Sequence, residues 1–158
     1  VIGLSAMNEL QFEDFMNSTL KEYAQEKITA GTWLPEHAES RALEDMHRIL
    51  PEGYLTQDAY FYNLVDSSVG DGQVIGFIWF NIYLRNGVRE AFLYDIHIVE
   101  EYQGRGYGTR TMELLEKEAR KLQAERIGLH VFGHNERAKR LYAKMGYEAK
   151  SITMYKEL

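Results

Sequence analysis

The sequence predicts a mixed α/β (α+β) chain folded as one domain over residues 1–158. Three observations carry this. Hydrophobic periodicity runs helix, helix, strand, strand, strand, helix, strand, helix, strand along the chain. Hydrophobic residues make up 45% and charged residues 27%, the mix of a globular domain. A length of 158 residues suits a single core that needs no covalent staples. Nothing reads as a repeat, a low-complexity tract or an interdomain linker.

The N-terminal third reads helical. From Leu10 to Ala30, Phe12, Phe15, Met16, Leu20 and Tyr23 recur at helical spacing, and Gly31 stops the helix. Pro35 opens a second helix with Ala42, Leu43, Met46, Ile49 and Leu50 on its apolar face, and Pro51-Glu52-Gly53 ends it. Ala59 to Asp66 is aromatic and β-branched, Ser67 to Gly72 is a turn cluster, and Val74 to Tyr83 is the second arm of a hairpin. Asn86-Gly87 marks a further tight turn before a strand from Glu90 to Val99. Simple alternation puts Phe92, Tyr94, Ile96 and Ile98 on one face of that strand, and Leu93, Asp95, His97 and Val99 on the other.

The period then changes. Glycines at 104, 106 and 108 lead into a helix from Thr109 to Gln123, with Met112, Leu115, Ala119 and Leu122 in one stripe. Glu125 to Phe132 follows as a strand. Asn135 to Met145 is a helix with Ala138, Leu141, Tyr142 and Met145 inward, capped by Gly146. Tyr147 to Lys156 reads as a final strand, whose edge would offer pairing to a second copy.

Composition excludes several classes of chemistry. The chain has no cysteine, which removes disulfides, thiolate metal sites and a cysteine nucleophile, and fits a reducing compartment. No apolar run approaches the roughly 18 residues of a membrane span, and the first residues lack the basic start of a secretory signal. The expectation is a cytoplasmic protein with no membrane partner. A formal net charge of −6 argues against non-specific nucleic-acid binding and mildly favours a cationic substrate.

A glycine-rich turn between a strand and a helix is a recurrent anion site. The first helical N–H groups lack intrahelical partners, and the helix dipole favours negative charge there. Gln103-Gly104-Arg105-Gly106-Tyr107-Gly108 has this character, with Arg105 and Arg110 near it. It is neither a G-x-x-x-x-G-K-[ST] loop nor a G-x-G-x-x-G dinucleotide turn, because its glycines are spaced two apart.

Gln103-x-x-Gly106-x-Gly108 resembles the pyrophosphate loop of the GNAT superfamily of acyl-CoA N-acyltransferases. A second block agrees. Leu129 to Asn135, then Ala138, Leu141-Tyr142 and Lys144-Met145-Gly146-Tyr147, is similar to that family's V-x-x-x-N-x-x-A-x-x-L-Y-x-x-x-G-F stretch, with Tyr147 where Phe is common. The resemblance implies a mixed, mainly antiparallel sheet with helices on both faces. It implies acetyl-CoA as acyl-donor substrate. The backbone of Ile96, His97 and Ile98 would pair with the pantetheine arm, the amides from Gly104 through Arg105, Gly106, Tyr107 and Gly108 to Thr109 would hold the pyrophosphate, and Asn135 would reach the arm or serve as a helix N-cap.

Direct transfer needs a base for the incoming amine, a polarised carbonyl and a proton for the departing sulfur. The resemblance implies Tyr142 as the acid. The base is open among His130, which titrates near neutrality, and a water-relayed group of Glu90, Asp95 and His97. Tyr23, Trp33, Tyr60, Trp79 and Tyr94 are candidates for an acceptor pocket, with core packing as their ordinary role; Glu22 and Glu26 are candidates to meet an ammonium. His130 and His134 straddle a strand and a loop, so no metal is expected. The acceptor stays open between a small-molecule amine and a protein or peptide amine, and the assembly between monomer and homodimer. The alternative to an N-acetyltransferase is a non-catalytic acyl-CoA-binding sensor of the same fold.

Overall fold

The computed structural model describes all 158 residues, and its five strands hydrogen-bond in the order β1-β2-β3-β4-β5. These are β1 (Ile2–Ala6), β2 (Ala59–Asp66), β3 (Val74–Arg85), β4 (Val88–Ile98) and β5 (Arg126–Leu129). The first four pair antiparallel, and β5 runs parallel to β4. Helices α1 (Glu9–Thr29) and α2 (Pro35–Ile49) cover one face, and α3 (Tyr107–Lys121) and α4 (Glu136–Lys144) cover the other. The mixed, mainly antiparallel sheet with helices on both faces is therefore the observed architecture.

Local chemistry explains most boundaries. Asn8 caps α1 in a reciprocal box: its Oδ1 accepts from the Gln11 amide at 2.8 Å, and Gln11 Oε1 accepts from the Asn8 amide at 2.9 Å. Pro35 begins α2 where no intrahelical N–H is needed. Asn86 and Gly87 both take positive φ, 52° and 78°, which gives the two-residue turn that joins β3 to β4. Met7, Phe12, Phe15, Met46, Phe61 and Trp79 fill the core under α1 and α2. Ile78, Phe80, Leu93, Met112 and Leu115 anchor the core under α3.

Four sequence expectations need correction. Tyr147 to Lys156 forms no strand, and Ile152, Met154 and Tyr155 stand exposed. Their alternation suits a strand, but a strand also needs a ladder partner, and no edge is paired to them. A short strand, β1, was not expected; its alternating Ile2, Leu4 and Ala6 pair with the outer edge of β2. Leu43 is exposed, because the inward stripe of α2 is the narrower Ala38, Ala42 and Met46.

The fourth correction positions the site. Trp79 pairs with Asp95, but Phe80 pairs with Leu93, so Tyr94 is an extra residue in β4. This bulge breaks the alternation. Tyr94 stacks on Trp79 at 4.6 Å, and the next residue, Asp95, bonds Thr19 of α1. Two consecutive side chains thus serve the α1 face, and Ile96 returns to the α3 face with Leu93.

Candidate active site

The bulge also ends the pairing with β5. β5 accompanies β4 from Glu90 to Leu93 only, while β3 stays with it to Ile98. The backbone of Tyr94 to Ile98 therefore has no strand on its outer side. Ile96, His97 and Ile98 lie in this open stretch, as an edge to which an extended ligand can add.

The glycine loop closes one end of the opening. Gly104 and Gly106 take φ of 74° and 82°, a conformation that penalises any Cβ. Gly106 is the N-cap of α3 and supplies no capping side chain, so the first amides of α3, at Tyr107, Gly108 and Thr109, keep free donors. The Tyr107 side chain points inward, where its hydroxyl donates to Asp66 Oδ2 at 2.7 Å. Ser68, first, and Tyr107 hold the Asp66 carboxyl well below the usual range. That bond ties the head of α3 to the end of β2.

Gln103 links three elements. Its Nε2 donates to the Ile98 carbonyl at 2.8 Å, and its Oε1 accepts from Arg137 of α4 at 2.7 Å. Arg105 lies over the Tyr102 ring at 5.6 Å, beside the loop. A Cβ on Gly108 would stand 3.3 Å from Leu141 Cδ2, so glycine there lets α4 approach the first turn of α3. Asn135 is the N-cap of α4, accepting from the Ala138 amide at 3.1 Å, which leaves its amide nitrogen free.

All but one of the candidate acid and bases fall around the same opening. Tyr142 packs on the α3-side core. Burial, and next the charge of Asp95, push its phenol up to about 12. Asp95 approaches from the α1 face, with Oδ2 accepting from Thr19 Oγ1 at 3.0 Å. Its carboxyl is raised to about 6, chiefly by burial and further by Glu22, against the lowering effects of Thr19, His97 and the Ile96 amide. His97 stacks on Phe77 at 5.9 Å beside it. His130 follows the last residue of β5; partial burial, and then the Lys27 ammonium, push its imidazole down. Glu90 belongs elsewhere: it is buried at the far end of β4, with Arg126 at 2.9 Å and Arg85 at 3.6 Å, so two guanidinium groups already engage the carboxylate.

Beneath α1 lies a cleft of about 380 Å³. Asp95 and His97 form part of its floor, and Asp14, Ser18, Thr19 and Glu22 line its helix side. The aromatic residues considered as a pocket do not share one. Trp79 is core, Tyr60 stacks on Phe80 at 5.2 Å, and Tyr23 and Trp33 meet each other around Lys27. Glu26 pairs with His134 rather than lining the cleft. No three His, Asp or Glu side chains converge as a metal site, and no helix is long and apolar enough to cross a membrane. Thr19 and Asn63 were not singled out from sequence, since only the fold brings Thr19 to Asp95 and sets Asn63 in the cleft lining.

Comparison with known proteins gives a consistent result. The sequence model of the acetyltransferase (GNAT) family matches residues 20–147. The chain is 32% identical over 157 residues to YycN of Bacillus subtilis (strain 168), covering 99% of each chain, and 34% identical over 155 residues to YdgE of the same organism, covering 98% and 97%. Both are described as uncharacterized N-acetyltransferases. The crystal structure of YycN superposes with a TM-score of 0.93 over 100% of this chain and 99% of that one. A protein from Pyrococcus furiosus assigned as an acetyl transferase shares the fold, with a TM-score of 0.67 at 22% identity over the whole of both chains.

Proposed function

The chain belongs to the GNAT acetyltransferase family, and we propose that within it the protein is an N-acetyltransferase that moves the acetyl group of acetyl-CoA directly to a primary amine. The observation that carries this is the edge of β4 left open beyond Leu93, beside the uncapped amides of α3, with Asp95, raised to about 6, and Tyr142, raised to about 12, near enough to feel each other's charge. Burial raises both, so at neutral pH the carboxylate is a better proton acceptor than a free one and the phenol stays protonated as a donor. Acetyl-CoA supplies the activated acyl carbon and a thiolate leaving group.

The chain's own residues fit that donor. The open backbone of Ile96, His97 and Ile98 offers pairing to amides of the pantetheine arm. The uncapped amides after Gly106 offer donors to a pyrophosphate, with the loop through Gln103, Gly104 and Arg105 wrapped beside them. Asn135 has a free amide donor at the other edge of the opening.

Asp95 takes a proton from the acceptor ammonium, directly or through one water, and the amine nitrogen bonds to the acyl carbon. The carbon–sulfur bond breaks as Tyr142 Oη donates toward the departing sulfur, and the second proton, shed by the nitrogen as it becomes an amide, returns to the phenol, so CoA leaves as the thiol and one proton stays on Asp95. A phenol near 12 is a weak acid toward a thiolate of ordinary pKa about 8.5. Its main contribution is a hydrogen bond to developing charge, with full transfer as the sulfur itself is desolvated. His130 is the second candidate base. Partial burial, and next the charge of Lys27, lower its basicity.

Thiol release from acetyl-CoA over an amine panel tests the reading. Tyr142→Phe is expected to lower kcat by about a hundredfold with CoA affinity retained; an unchanged kcat under chemistry-limited conditions removes Tyr142 from the reaction. His130→Ala is expected to keep the acidic limb of kcat/KM, and losing that limb would transfer the base to His130.

A further inference from the structure

The cleft beneath α1 bears on the acceptor, and the inference rests on the transferase reading of the site. Its charged lining is Asp14, Glu22 and Asp95; it contains neither lysine nor arginine, and His97 is its one basic side chain. Lys27, on the same helix, turns its ammonium elsewhere. Lys27 Nζ lies over the rings of Trp33, Tyr23 and Phe132 at 5.3, 5.6 and 5.8 Å, outside the lining. A second observation points to a ligand. Asn63 is 4% exposed, lines the cleft, and its side-chain amide makes no hydrogen bond within the protein. What remains accessible of this otherwise buried residue opens into the cleft, so its amide offers an acceptor and a donor to an occupant.

The spacing along α1 defines what that occupant can be. Thr19 marks the position of Asp95 through their 3.0 Å bond. At about 1.5 Å of rise per residue, Glu22 lies about 4.5 Å from Thr19 along the axis, and Asp14 about 7.5 Å the other way. These are the separations of nitrogens on short aliphatic chains. A ligand carboxylate would meet three like charges; a second ammonium would meet three opposite ones.

We propose that the acceptor is an aliphatic diamine or polyamine. One amine reacts beside Asp95 and Tyr142. A second ammonium pairs with Glu22 or, on a longer chain, with Asp14, and Asn63 Oδ1 accepts from a nitrogen along the way. A lone monoamine lacks the second contact, and an amino acid brings a repelled carboxylate.

Calorimetric titration of the CoA-loaded protein with putrescine, n-butylamine and γ-aminobutyrate tests this, because the three share a reacting amine and a chain and differ at the far end. Putrescine is expected to bind about tenfold tighter than n-butylamine, with γ-aminobutyrate weakest. In the Asp14→Asn, Glu22→Gln double variant the preference should fall below about threefold, with CoA affinity as the control for folding. Equal binding of putrescine and n-butylamine, tighter binding of γ-aminobutyrate, no putrescine binding, or a preference unmoved in the double variant would each overturn the proposal. Thiol release separates the two readings. Selective putrescine binding without release on any amine would keep the cleft assignment and remove the transferase; release from n-butylamine at the putrescine rate would do the reverse.

Discussion

At the scale of the residue, Asp95 is where stability and the proposed chemistry meet. The fold holds it against its charge. Between its unfolded value of 3.8 and about 6, the folded chain binds more protons than the unfolded chain, so stability falls as pH rises through that window. Above it the full cost applies, about 3 kcal/mol at about 1.4 kcal/mol per pH unit. Asp95→Asn keeps an acceptor for Thr19 and removes the charge. It is expected to raise Tm at about pH 7.5 by several degrees, to change it little near about pH 4, and to abolish the acidic limb of kcat/KM near pH 6. Thermal melts at both pH values and a pH–rate profile check this. Tyr142, near 12, adds no basic limb below about pH 10. Tyr142 was legible in the sequence because it sits in a motif. Asp95 was legible only as one of three acidic or basic residues on a strand, since what selects it is burial and Thr19, a residue 76 positions away.

At the scale of the element, two glycines of one loop have separable tasks. Gly106 carries the φ of 82°, with nothing within 4 Å of a Cβ placed there. Gly106→Ala therefore acts through backbone conformation, at about 1–2 kcal/mol, and is expected to weaken CoA binding about tenfold. Gly108→Val instead drives a branched side chain toward Leu141, one residue before Tyr142. It is expected to lower kcat more than it weakens CoA binding. A titration with CoA and a rate measurement on each variant distinguish the two. The loop was readable in sequence because its chemistry is local: glycine spacing and a helix start. The bulge at Tyr94 was not readable. Alternation continues smoothly through Phe92 to Ile98, and only the register against β3 shows that one residue is extra. That single residue turns Asp95 toward α1 and frees the edge beyond Leu93.

At the scale of the whole molecule, the proposed site is a gap in a sheet approached from two faces. α4 brings Tyr142 from one side and β4 brings Asp95 from the other, beneath α1. The tail after Tyr147 takes no part in this. It forms no strand, and its large apolar residues are exposed. Deleting residues 149–158 is expected to shift Tm by less than about 2 °C, since surface changes away from packed features rarely exceed about 0.5 kcal/mol. A larger loss in a thermal melt would show that the tail is paired in solution. The amino-acid sequence by itself determined the helices, the β2–β3–β4 meander with its Asn86-Gly87 turn, the glycine loop and the motif that carries Tyr142, because capping, turn geometry and hydrophobic period act over a few residues. Tertiary structure alone decided that Asp95 meets Thr19 beneath α1, that Glu90 is engaged by Arg85 and Arg126, and that the last segment finds no ladder. Each of these depends on which partner a group meets across the fold, and the spacing of residues along one strand carries no record of that partner. The glycine loop offers free amides to an anion, and the acidic cleft, assembled from α1, β2, β3 and β4, is the proposed seat of the amine.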